Sequence, residues 1–213
     1  FLFTGAVKKI RDLIDNGTLG PLYYFDSSRI NLGLFQHDVS VVWDLAPHDL
    51  AIMDYVIREK AEAVVATGSS HFNHLADIAF LTVYFPNNVV AHINVNWLSP
   101  VKVRTTLIGG RDKMLVWDDL DADEKIKIYD RGVDVKSANG GIHDLLVSYR
   151  SGDVWAPKVD QTEALKAELG YFLKCIDESA TPFNDGEAGL RVVRMLEAAD
   201  KSLLDRGRVI PLS

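Results

Sequence analysis

The stretch "DIAFLTVYFPNNVVAHINVNW", residues 77–97, limits what this chain can fold into more than any other. Its second half sets Val89, Ala91, Ile93, Val95 and Trp97 in alternation with His92, Asn94 and Asn96, the period of two of a half-buried strand. The first half is a continuous apolar run, and "PNN" between the halves supplies turn residues. The two halves are therefore expected to pair as an antiparallel hairpin. Further strands are expected at 63–70, 101–108, 113–117 and 125–129, joined by short turns without intervening helices, which implies a largely antiparallel sheet. An earlier strand, in "PLYYFDSSRINLG", begins at Leu22 and ends near Gly33. Residues 131–141, "RGVDVKSANGG", read as a loop.

Helical periodicity brackets these strands. Ala6, Val7, Ile10, Leu13 and Ile14 follow Thr4 at helical spacing and stop at "DNGTLG", predicting a helix over 4–16. Pro47 disfavours helical geometry at Ala46, so a second helix is predicted to start at Pro47 and run over 47–58. Leu165, Leu169, Phe172, Leu173 and Ile176 form one apolar stripe; Val192, Met195, Leu196, Ala199 and Leu203 form another. Asn184 and Glu187 have capping-box spacing ahead of the last helix. The expectation is one α+β domain over residues 1–213, an open and mainly antiparallel sheet with helices packed on one face. The other face shows small polar side chains, as in "HINVN", and suits a wet protein interface.

Composition narrows the partners. With 47% hydrophobic and 25% charged residues, the 213-residue chain can bury a full core. A formal charge of -7 and a pI near 5.3 oppose nucleic acid and anionic membranes, so neither is expected as a partner. No apolar run approaches the roughly 20 residues that span a bilayer. The lone Cys175 precludes an internal disulfide and reads as a buried, inert thiol. "FLFTGAVKKI" has neither a signal-peptide order nor an initiating Met. The chain is read as cytoplasmic and as beginning inside a longer protein, or as a trimmed form.

Common cofactor motifs are missing from the sequence: no G-x-G-x-x-G, no G-x-x-x-x-G-K-[ST], no G-x-S-x-G, no H-E-x-x-H and no C-x-x-C. His71 and His74 in "HFNH" have no matching third ligand, and no metal is assigned. His92 reads as an interface hydrogen-bonder, His37 and Asp38 as possible walls of a pocket shared with "VVWDLAPHDL", and His143 is given no role. Asp44 and His48 in that decapeptide are four residues apart. In the first turn of a helix, the dipole lowers the pKa of His48 and Asp44 raises it, which suits a general base titrating near neutrality. The same spacing also describes a capping acid and an ordinary first-turn histidine, and D-x-x-x-H is a weak signal. Spacing alone leaves both readings open.

The wider segment "RINLGLFQHDVSVVWDLAPHDLAIMDYV" resembles the second domain of the glucose–fructose oxidoreductase/inositol dehydrogenase/MocA (Gfo/Idh/MocA) family, most closely its nucleotide-sugar branch. "FLFTGAVKKIRDLIDNGTLGPLYYFDSSR", "INVNWLSPVKVRTTLIGG" and "PFNDGEAGLRVVRMLEAADKSLLDRGRVIPL" extend the similarity over nearly the whole chain. The resemblance implies a domain that holds substrate and builds a homo-oligomer (dimer or tetramer) through the open sheet face. It implies oxidation or reduction of a secondary alcohol on a sugar, nucleotide sugar or cyclitol. His48 matches the catalytic histidine and Asp44 its acidic companion; Arg29 and Asn31 are candidates for gripping sugar hydroxyls or phosphate. NAD or NADP and the lysine of the family's E-K-P motif would belong to an N-terminal Rossmann domain absent from this sequence. This chain alone is accordingly expected to be inactive and to bind no dinucleotide tightly. The alternatives are a non-catalytic carbohydrate-binding or assembly module, and a metal-assisted hydrolase built from His37, Asp38, His48 and His71.

Overall fold

The computed structural model describes residues 1–33, 35–137 and 145–212. Thirteen elements are used below: α1 (Gly5–Asp15), β1 (Leu22–Ile30), α2 (Val41–Val56), β2 (Ala63–Ser69), β3 (Ile78–Tyr84), β4 (Val90–Asn96), β5 (Val103–Gly110), β6 (Met114–Asp118), β7 (Ile126–Ser137), β8 (Leu145–Trp155), α3 (Ala164–Asp177), α4 (Gly186–Leu204) and β9 (Ile210–Pro211). The strands form one sheet in the order β8-β7-β6-β5-β1-β4-β3-β2-β9. Every pairing is antiparallel except the central β1–β4 pair, so the α+β expectation holds.

The expected hairpin forms with β3 and β4 in register from Ile78↔Asn96 to Tyr84↔Val90. Asn87 and Asn88 both take φ near 60° in its turn, a left-handed conformation that asparagine tolerates better than most residues. Alternation then sorts the side chains. Phe25, Ser27 and Arg29 of β1, Ala79, Leu81 and Val83 of β3, and Ala91, Ile93 and Val95 of β4 are all buried on the face covered by α2 and α4. The opposite face carries His92, Asn94, Asn96, Thr82 and the exposed Phe80 and Tyr84. No helix among the described residues is long and apolar enough to cross a membrane.

Several expectations change. α2 does not begin at Pro47 but at Val41, after Ser40, and Pro47 lies inside it. A mid-helix proline costs roughly 3 kcal/mol through its missing N–H and ring clash. Burial of Val41 and Val42, at about 1.5–3 kcal/mol each, is large enough to offset that cost. The predicted loop at 131–141 is strand as far as Ser137, paired with β8, which the sequence reading missed; residues 138–141 and His143 lie outside the described residues. α4 is capped by Asp185, whose carboxylate accepts from Ala188 N–H, and not by Asn184.

The two C-terminal stripes diverge. Met195, Leu196 and Ala199 of α4 are buried, as their spacing predicts. On α3 the stripe faces out, with Leu165, Leu169, Phe172, Leu173 and Ile176 all exposed. The helix instead turns Tyr171 onto Phe3 and Phe183 and buries Cys175. Periodicity locates an apolar stripe but does not supply its partner.

Candidate functional site

β1 brings Ser27 and Arg29 to the inner face because their spacing matches the pleat that buries Phe25. Asn31 follows just beyond the strand, its N–H donating to the Asn96 carbonyl at 3.0 Å. α2 crosses this end of the sheet and presents Asp44 and His48 one turn apart on the same side.

Trp97, just past the end of β4 and 1% exposed, anchors one of these residues. Its indole N–H donates to Asp44 Oδ2 at 3.0 Å. A Cβ on Gly33 would stand 2.8 Å from the Asn31 amide nitrogen and 3.5 Å from the Trp97 ring. A side chain at this position would therefore displace the Asn31 amide, so Gly33 leaves that amide its present place. Phe35 also packs on Trp97, with ring centroids 5.3 Å apart.

Arg29 is buried, not lining open solvent. Its Nε donates to Asp49 Oδ2 at 2.6 Å and its Nη2 to Asp49 Oδ1 at 3.2 Å. Asp49 had no role in the sequence reading; it is buried and also accepts from Ser27 Oγ at 2.8 Å. Phe1 spans the pair of candidates, its ring over the Arg29 guanidinium at 4.7 Å and edge-on to His48 at 4.9 Å.

His48 is exposed by area, yet its ring is crowded by protein on one flank. Desolvation there pushes its pKa below the ordinary histidine value, and the Arg29 charge pushes the same way. Asp49 opposes this, and Asp44 opposes it least of the named charges. The sequence reading put His48 in the first helical turn, with the dipole as the lowering influence. Because α2 starts at Val41, seven residues before His48, burial and Arg29 take that place. An imidazole depressed in this way is neutral at pH 7 and free to accept a proton.

The hydrolase residues do not gather. His37 is exposed; His71 Nδ1 instead pairs with the buried Asp77 at 2.7 Å. Asp38 lines a separate hollow of about 590 Å³ with His74, Trp43 and Asp200, away from His48. Among the described residues, no group of three or more His, Cys, Asp or Glu stands close enough to hold a metal. His92 pairs across the sheet with Asp26 at 3.1 Å on the open face.

Solved structures resemble this fold closely. UDP-N-acetylglucosamine 3-dehydrogenase from Acidithiobacillus ferrooxidans superposes with a TM-score of 0.69 at 23% identity, over 93% of this chain and 60% of that one. Aldose-aldose oxidoreductase from Caulobacter crescentus, complexed with glycerol, gives 0.75 at 18% identity over 99% and 62%. A levoglucosan dehydrogenase in complex with NADH and levoglucosan gives 0.74 at 15% identity over 99% and 64%. This chain thus spans less than two thirds of each, and at these identities the likeness is one of fold. No curated protein matches the chain significantly. The family described as the GFO/IDH/MocA C-terminal domain matches residues 7–115, more than half of the sequence and the part that contains Arg29, Asn31, Asp44 and His48, and to that family this chain belongs.

Proposed function

We propose that this chain is the substrate-holding domain of an NAD(P)-dependent oxidoreductase acting on a secondary alcohol of a sugar, nucleotide sugar or cyclitol. The supporting observation is the placement of His48 on α2, with the Phe1 ring against it and over the buried Arg29 guanidinium, surroundings that push its pKa down. His48 takes the proton of the substrate hydroxyl as the carbon is oxidised and returns it in the reverse direction. Asp44 acts on the imidazole through its charge rather than by contact, while its carboxylate fixes Trp97. Arg29 and Asn31 hold oxygens of the substrate.

The dinucleotide does not fit this chain's own residues, because the sequence has no glycine-rich phosphate cradle. A nicotinamide held by a companion domain would supply hydride exchange at the substrate carbon. The relatives named above for UDP-N-acetylglucosamine and levoglucosan agree with a sugar substrate. The polypeptide that joins this chain to such a domain is expected to form reduced nicotinamide when given NAD(P)⁺ and a sugar alcohol. Absence of turnover with every sugar and nucleotide sugar offered, in a folded and dinucleotide-bound protein, contradicts this reading.

The open sheet face favours assembly as a second task of the same chain. Phe80, Tyr84 and Leu107 are exposed on it, and the Asn94 Oδ1 there is buried without a hydrogen-bond partner among the described residues. A second copy laid on this face covers the apolar groups and can satisfy the amide oxygen.

A further inference from the structure

Asp49 is 2% exposed, and its carboxylate is the hub of a network that crosses three elements. Thr106 Oγ1 on β5 donates to Ser27 Oγ on β1 at 3.4 Å, and Ser27 Oγ donates to Asp49 Oδ1 on α2 at 2.8 Å. Both carboxylate oxygens are also taken by Arg29, through Nε and Nη2, so the guanidinium is gripped along one edge. The remaining nitrogen, Nη1, is buried and has no hydrogen-bond partner among the described residues. Leaving a buried charged donor unsatisfied is costly, and such groups usually have a partner. The Phe1 ring lies over the guanidinium and is itself 40% exposed, which makes it the displaceable cover between Arg29 and solvent.

We propose that Asp49 is a positioning residue: it locks Arg29 by one edge so that Nη1 is kept for a neutral oxygen, hydroxyl or carbonyl, of the sugar bound beside His48. The inference rests on the oxidoreductase reading above and adds to it the kind of atom recognised at this point. The charges select that atom. Asp49 already pairs the Arg29 charge through both of its oxygens, and Asp44 adds a second carboxylate on the same helix. An oxyanion arriving here meets a guanidinium whose charge is already paired and two carboxylates that repel it, whereas a neutral oxygen needs only the donor.

The test follows the His48 ring and the Arg29 Nε–H by NMR in the 213-residue chain, with N-acetylglucosamine and inorganic phosphate added separately. The sugar, and not phosphate, is expected to shift both signals. Asp49→Asn keeps Arg29 but loosens it, broadening the Nε–H signal and weakening sugar binding about tenfold, as for one charge-assisted hydrogen bond. Should that variant fail to fold, Arg29→Met/Asp49→Leu replaces the buried pair with apolar bulk, an exchange that buried ion pairs often tolerate. It is expected to keep the thermal midpoint, bind sugar about tenfold more weakly, and let His48 titrate at higher pH, since Arg29 outweighs Asp49 there. A purely structural pair predicts undiminished sugar affinity in the double variant. That result overturns the inference, as does a sugar that moves neither signal or a phosphate that moves them instead. None of these outcomes touches the hydride-transfer reading, which turnover of His48→Asn decides separately.

Discussion

His48 shows how far a residue's neighbours, more than its spacing, set its chemistry. In the sequence it sits four residues after Asp44, and that pair is legible there as a possible acid–base unit. What depresses its basicity is crowding and Arg29, which lies nineteen positions earlier and reaches it only through the fold. The direction of the shift fixes a pH profile. Turnover in the oxidation direction is expected to rise as His48 loses its proton, with a midpoint below the ordinary value of about 6.5, and to lie flat on the neutral side. A midpoint above that value contradicts the account. Folding stability follows the same sign: the unfolded chain binds the proton more readily, so His48 costs stability as the pH falls through the unfolded value and costs none above it. Asp49 was not legible beside His48, because its partners Ser27 and Arg29 are in another element. The signal was present in β1, where a period of two sets Ser27 and Arg29 on the same side as the core residue Phe25.

Among the elements, α2 and α3 depart most from simple sequence rules. Pro47 is a strong local breaker, yet the buried row of Val41, Val42, Ala46, Leu50 and Met53 carries the helix through it. The Trp43 carbonyl consequently loses its intrahelical donor. Pro47→Ala restores that N–H and is expected to stabilise the domain by about 1–2 kcal/mol, the helix gain less the greater freedom of the unfolded chain, read from urea unfolding. A loss of stability contradicts the present view of α2. For α3 the outward stripe makes a sharper contrast. Leu169→Lys is expected to change stability by less than about 0.5 kcal/mol, whereas Leu196→Ala on α4 costs about 2–5 kcal/mol. The β3–β4 hairpin was fully legible, since its pattern, turn residues and register are all local. β8 and β9 were not, because a two-residue strand and a ribbon with exposed Val133, Tyr149 and Val154 carry little core signal.

For the molecule as a whole, the central strands β1, β3 and β4 put core on one face of the sheet and surface on the other, a division set by their alternation. If copies meet on the open face, Phe80→Asp is expected to lower the assembly state in analytical ultracentrifugation without altering the secondary structure; an unchanged mass contradicts that use of the face. The candidate site lies on the covered side, at the end of β1 and β4, so the proposed assembly and the proposed chemistry fall on opposite surfaces. The sequence has no glycine-rich phosphate-binding motif, and calorimetry on these 213 residues is expected to show no NAD(H) binding; tight binding would place the dinucleotide here after all. The central claim is that His48 carries the substrate proton. Its most direct test is steady-state turnover of His48→Asn in a polypeptide that joins this domain to the proposed dinucleotide-binding domain. A fall of about 10²–10⁴-fold in kcat, with the fold and dinucleotide affinity intact, is the predicted result. Turnover at the level of the unaltered protein would contradict it.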